Sequence, residues 1–306
     1  MTTSSGGGQA RRSRRWGVVT LSSATQDQSG LTPVGVAAWS TIHTCLETPI
    51  PGPSEKRRRF ILAGALCLNL GFAMSAYFLA FQYAPLRALA RSTGNWISPT
   101  RVVNAIGLLL VICGWLVAVG RTSPGSLGLD RSTLLRGLSI TAGAWIGVQA
   151  LAAAGALASG RSLIETSPNL RGALPILFGQ LAGNAAYEEI FYRGYLIRAL
   201  TPDLGGRSWA AVLLSSALFG LMHIANYWVR GLAMSLLVPA TLAGVLLGFT
   251  YVRTRNLWLC IGLHSLLNAP VPIWESPVPT EVAPAVVLLL CLGLGPRPRS
   301  GTPTSL

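Results

Sequence analysis

Long uncharged runs constrain this chain more than any other feature. Residues 60–83 carry no Asp, Glu, Lys or Arg over 24 positions, and residues 137–160 match that length. Residues 208–229 and 231–252 are uncharged over 22 positions each, 102–120 and 256–274 over 19 each. About 20 apolar residues in a helix cross the hydrocarbon core of a bilayer. In lipid each backbone N–H and C=O must find a partner inside the protein, and a helix supplies one for itself. Residues 172–197 form a further apolar run, interrupted only by Glu188, Glu189 and Arg193, and 282–296 is a last one of 15 residues. The eight runs predict an all-α, polytopic transmembrane helical bundle of about eight helices. At 15 residues the last run is short for a crossing.

Charge supports the same class. Charged residues make up 11% of the chain, against about 25% in soluble domains, which excludes an ordinary soluble enzyme. The net charge is +14, yet the arginines stand mostly one at a time between apolar runs, as membrane-protein loop arginines do. A nucleic-acid partner, which needs a clustered basic face, is therefore not expected. With alternating helices and the N-terminus inside, the cytoplasmic segments hold 17 of the 24 basic residues and the outer loops 6. Both termini are predicted cytoplasmic, in a protein of the plasma (inner) membrane.

Residues 1–59 are rich in Ser, Thr, Gly and Pro and carry the basic clusters Arg11, Arg12, Arg14, Arg15 and Lys56–Arg59. They read as a disordered basic tail. Residues 60–296 form the transmembrane domain and 297–306 a short C-terminal tail. The five cysteines are widely spaced without a CxxC pair and read as small buried hydrophobes.

Only two of the ten acidic residues enter an apolar run, and they are adjacent: Glu188 and Glu189. Ionisable side chains inside a span are costly and mark function by default. Glu189 and Arg193 are i,i+4 and share a helical face, so they are expected to pair. Glu188, turned about 100° away, is the freer carboxylate and a candidate general base toward water. Two of the three histidines also lie in apolar runs, in the patterns Phe219-x-x-x-His223 and His264-x-x-x-Asn268. Each pair shares a helical face. Three helices could aim a carboxylate, two imidazoles and an amide at one cavity, with oxyanion donors among them. Counted from Gly172 and from Ser208, Glu188 and His223 enter from opposite faces of the bilayer. Their depths then coincide only if the helices tilt or overrun it.

These three ordered patterns resemble those of the CAAX-protease and bacteriocin-processing family of intramembrane proteases, which includes abortive-infection proteins and type II CAAX prenyl endopeptidases. The resemblance covers about residues 170–270. It implies an intramembrane endopeptidase in which Glu188 and His223 activate a water. His264 and Asn268 would hold the tetrahedral oxyanion, while Glu189, Arg193 and Phe219 support the site. It implies a peptide or membrane-protein substrate met in the lipid bilayer. No cofactor is expected; a divalent metal such as zinc on Glu188, His223 and His264 is the alternative. A proton-coupled transporter and a non-catalytic membrane scaffold are the competing functions. The first three runs carry no family motif, and Asn226, Tyr227 and Trp228 read as an interfacial anchor. Pro239 is expected to kink the sixth run, and Gly244 and Gly248 to form a close-packing GxxxG face.

Overall fold

A computed structural model describes residues 54–94, 96–162, 176–272, 274, 277 and 279–294. The expected tail over 1–53, the residues 163–175 and the C-terminal tail 297–306 lie outside the described residues. Among the described residues the chain is helical, with no strand. The helices are α1 (Glu55–Gln82), α2 (Ala84–Ser92), α3 (Pro99–Val119), α4 (Arg131–Ala158), α5 (176–200), α6 (Ser208–Val229), α7 (Leu237–Thr254), α8 (Leu257–Asn268) and α9 (Val282–Leu294). Among the described residues four helical runs are long and apolar enough to cross a membrane: Pro99–Val119, Gly125–Ala158, Ser208–Val229 and Met234–Thr254. The protein is an integral membrane protein.

Local chemistry sets several boundaries. Asp130 caps α4, its carboxylate accepting from the Ser132 N–H at 2.8 Å. Asn256 caps α8 through the Leu259 N–H at 3.0 Å, satisfying one of the orphan donors of a helix start. Lys56–Arg59, read from sequence as the end of the tail, instead form the opening turns of α1. They are held there because Arg58 donates to the Ala199 carbonyl at 2.9 Å and to Asp203 at 3.0 Å. The guanidinium in turn holds the Asp203 carboxyl below its ordinary value.

Three expected spans differ in extent. The run over 256–274 is helical only to Asn268; Pro270 and Pro272 follow, and a residue before proline is pushed away from helical backbone. The run over 231–252 enters its α-helix only at Leu237. Pro239 therefore sits in the first turn, where its missing N–H has no partner to lose, and the expected mid-helix kink has no cause. The last run forms a 13-residue helix.

Helix α5 is the central post of the bundle. Phe191, Leu196 and Ile197 from α5, Leu247 and Tyr251 from α7 and Leu257, Leu259 and Leu263 from α8 are all buried in one cluster. Polar groups on α5 are thus shielded from lipid by neighbouring helices. The expected GxxxG face exists: a Cβ on Gly244 would lie 3.2 Å from Phe219 and Ser216, and one on Gly248 would lie 2.8 Å from Val212. Those glycines let α7 approach α6 closely. Gly194 does the same for the loop before α4, since a Cβ there would stand 2.3 Å from the Leu127 carbonyl oxygen. That neighbour is backbone and cannot turn aside. Gly194→Ala is expected to cost about 1–3 kcal/mol by overpacking, checked by unfolding in detergent; an unchanged unfolding midpoint would refute the close approach.

Candidate active site

The acidic pair stands on a short α-helical stretch, Ala185–Glu189, between two π-helical stretches, Gln180–Asn184 and Ile190–Leu196. Wide turns of this kind are frequent at functional sites. Glu189 is fully buried, and its Oε1 pairs with Arg193 Nη1 at 2.8 Å. The same oxygen accepts from His264 Nδ1 at 2.6 Å. Arg193, 1% exposed, also donates to the Gly244 carbonyl at 3.2 Å and lies 4.6 Å above the Phe219 ring. The expected i,i+4 pair is formed, and it reaches further than expected, to α8.

Glu188 is the more open of the two, its side chain 14% exposed. His264 Nε2 stands 3.5 Å from Glu188 Oε2, and that oxygen accepts no hydrogen bond among the described residues. His264 therefore lies between the two carboxylates, bonded to one and facing the other. His223 Nδ1 lies 2.9 Å from the Phe219 carbonyl. A carbonyl only accepts, so Nδ1 carries the proton and Nε2 is left as the acceptor. The Phe219 ring is the hub between these groups, with centroids 4.7 Å from His223, 5.8 Å from His264 and 5.2 Å from Tyr192. Its place four residues before His223 puts a flat apolar spacer between the two imidazoles.

Glu188 and His223 border one cavity of about 30 Å³, room for one or two waters. The depths agree once both are measured from the turn that joins α5 to α6. From there Glu188 stands about 18 Å up one helix and His223 about 22 Å up the next, by helical rise. Asn268 is separate: it is exposed, donates to Gln180 Oε1 at 3.3 Å, and does not border the cavity.

The far wall comes from helices with no motif. Asn69 of α1 and Asn104 of α3 border the cavity beside Tyr187, Tyr192 and Asn226. Asn69 donates to the Tyr192 hydroxyl at 2.9 Å and accepts from the Tyr187 hydroxyl. Asn104 donates to Asn184, one turn before Glu188. The signal in the sequence was a lone asparagine in each of two apolar runs. Asn226, read as part of an interfacial anchor, belongs to this wall, and its side-chain oxygen Oδ1 is buried without a partner among the described residues.

Among the described residues no three His, Cys, Asp or Glu side chains converge as metal ligands would. Glu189 engages Nδ1 of His264 and the Phe219 carbonyl engages Nδ1 of His223, so Nε2 is the ring nitrogen that each would offer to a metal.

Residues 170–270 match the family model described as type II CAAX prenyl endopeptidase Rce1-like. That stretch is similar to the CAAX-protease family. It spans about a third of the chain and contains Glu188, His223 and His264 but neither Asn69 nor Asn104. The match supports a CAAX-type intramembrane protease, a peptidase, in general terms. No curated protein and no solved structure matches the chain.

Proposed function

We propose that the protein is an intramembrane endopeptidase that hydrolyses a peptide bond with a water activated by Glu188. The observation that carries this reading is the juxtaposition of Glu188 and the free Nε2 of His223 on one water-sized cavity inside an apolar bundle. Glu188 takes a proton from the water while His223 Nε2 accepts its second hydrogen bond, and the oxygen attacks the peptide carbonyl carbon. Burial keeps bulk water from competing and strengthens each charge interaction there.

His264 serves as the charged donor. With protons on both ring nitrogens it donates to Glu189 and offers Nε2–H toward the reacting centre. Glu188, Glu189, Arg193 and His264 then sum to zero charge, so no lone charge is buried. The proton held by Glu188 passes to the departing amine, which closes the balance of water and peptide. Asn268 is the second oxyanion donor that the family resemblance implies; it reaches the carbonyl by exchanging its Gln180 partner. No metal takes part in this scheme. The substrate is a peptide or membrane-protein segment met in the bilayer of the plasma membrane, with the N-terminus of the protein on the cytoplasmic side. A prenylated peptide ending in a CAAX sequence is the first probe to use.

The test is cleavage of a fluorescence-quenched, farnesylated CAAX peptide by the purified protein in detergent, with the cut bond located by mass spectrometry. Wild type is expected to cut within the last residues, and His223→Ala to be slower by about 10²-fold or more. Full activity of the His223→Ala variant would remove His223 from the reaction.

A further inference from the structure

The geometry points to Tyr192 as a hydrogen-bond donor to the developing oxyanion, with Asn69 as the positioning residue that orients it. The inference rests on the peptidase reading and adds a donor that the family motifs do not contain.

The hydrogen bonds run in one direction. Tyr187 gives its hydroxyl proton to Asn69 Oδ1. Asn69 Nδ2 gives a proton to the Tyr192 oxygen at 2.9 Å. A hydroxyl that accepts still has its own proton to donate, and no acceptor for it stands among the described residues. All three residues border the cavity that holds Glu188 and His223. Tyr192 is 2% exposed and Asn69 3%, so the unspent donor is buried, where an unpaired polar group is costly. Its ring is fixed edge-on against Phe219 and Phe191, centroids 5.2 and 5.0 Å away. The Tyr192 main chain is fixed as well, its carbonyl accepting from Ser215 at 2.9 Å. A rigid, desolvated donor beside the water seat is what stabilises charge that appears only in the transition state.

Position supports the assignment. Asn268, the amide assigned to the oxyanion by resemblance, stands outside this cavity on Gln180. Tyr192 stands inside it, four residues after Glu188. The arrangement also gives α1 a task. Among the described side chains of that helix the only buried polar one is Asn69, and Asn69 spends both ends of its amide on the helix that bears the acid pair.

The test compares kcat and KM for the farnesylated quenched peptide across five variants, each checked for its unfolding midpoint in detergent. Tyr192→Phe removes one oxygen and keeps the ring. It is expected to lower kcat by about 10²-fold, the scale for one oxyanion donor, with KM near wild type and the unfolding midpoint modestly lower, because Asn69 Nδ2 loses its acceptor. Asn69→Ala is expected to lose less. The double variant Asn69→Ala/Tyr192→Phe should be no slower than Tyr192→Phe alone, because Asn69 acts through Tyr192. Tyr187→Phe should be the mildest. A Tyr192→Phe enzyme within two-fold of wild-type kcat overturns the inference, as does a change confined to KM. A Tyr187→Phe loss exceeding that of Tyr192→Phe also overturns it, by reversing the relay. Glu188→Gln separates the two layers: a dead Glu188→Gln beside a fully active Tyr192→Phe refutes the donor and keeps the peptidase. A wild type that leaves the peptide uncut refutes both.

Discussion

Glu188→Gln is expected to lower kcat for peptide cleavage by about 10²–10⁴-fold, the range for losing a general base, while the protein unfolds as wild type does. Glutamine keeps the size and hydrogen-bonding reach of the side chain but cannot take a proton. Glu188 makes no hydrogen bond through Oε2 among the described residues and is partly exposed to the cavity, so little of the fold depends on it. Its neighbour should behave in the opposite way. Glu189 is fully buried and holds both Arg193 and His264. Glu189→Gln removes the charge that neutralises Arg193, and breaking a buried pair costs about 3–5 kcal/mol. Two adjacent, chemically identical residues are thus expected to fail differently, one in turnover and one in folding. Activity and unfolding of the two variants, measured side by side, decide the matter. A Glu188→Gln enzyme that still turns over, or a Glu189→Gln protein as stable as wild type, would undo the division of labour.

That division was legible in the sequence because helical spacing alone separates the two glutamates. Glu189 is in register with Arg193 at i,i+4 and Glu188 is not. The Phe219–His223 spacing was legible for the same reason. The far wall of the cavity was not. A search for charge inside spans finds Glu188, Glu189 and Arg193 at once but passes over Asn69 and Asn104, whose amides are neutral and common enough in helices to draw no notice. Their significance lies in what they face, and contacts between α1 or α3 and α5 bridge 80 or more residues of chain. Depth was misjudged for a geometric reason. Measuring Glu188 from Gly172 and His223 from Ser208 uses two ends of the bundle, whereas the short connection between α5 and α6 gives both residues one origin. The bilayer crossings were read by length and charge. The breaks at Pro270 and at Leu237 instead came from backbone chemistry that hydropathy does not weigh.

Arg193→Met is expected to destabilise the folded protein by about 3–5 kcal/mol, the cost of stranding one member of a buried ion pair. The volume is nearly kept, so the loss is electrostatic rather than a cavity. Without the guanidinium, Glu189 retains only the His264 proton, the Gly244 carbonyl loses a donor and the Phe219 ring loses the cation 4.6 Å above it. Arg193→Lys should rescue only in part, because a single ammonium cannot serve Glu189 and Gly244 as the planar fork does. The informative variant is the double one, Glu189→Met/Arg193→Met. Removing both charges takes away the stranded carboxylate, so this protein should be more stable than Arg193→Met alone. It should still fall below wild type by about 1–3 kcal/mol, because His264 Nδ1 then has no acceptor. Unfolding free energies in detergent for wild type, Glu189→Met, Arg193→Met and the double variant form a double-mutant cycle whose coupling term should exceed about 1 kcal/mol. A coupling near zero would mean that the pair is incidental, and that α5, α7 and α8 are held together by apolar packing alone. A large coupling means that the pair holds His264 in place against Glu188, so the double variant should also have lost turnover despite its recovered stability.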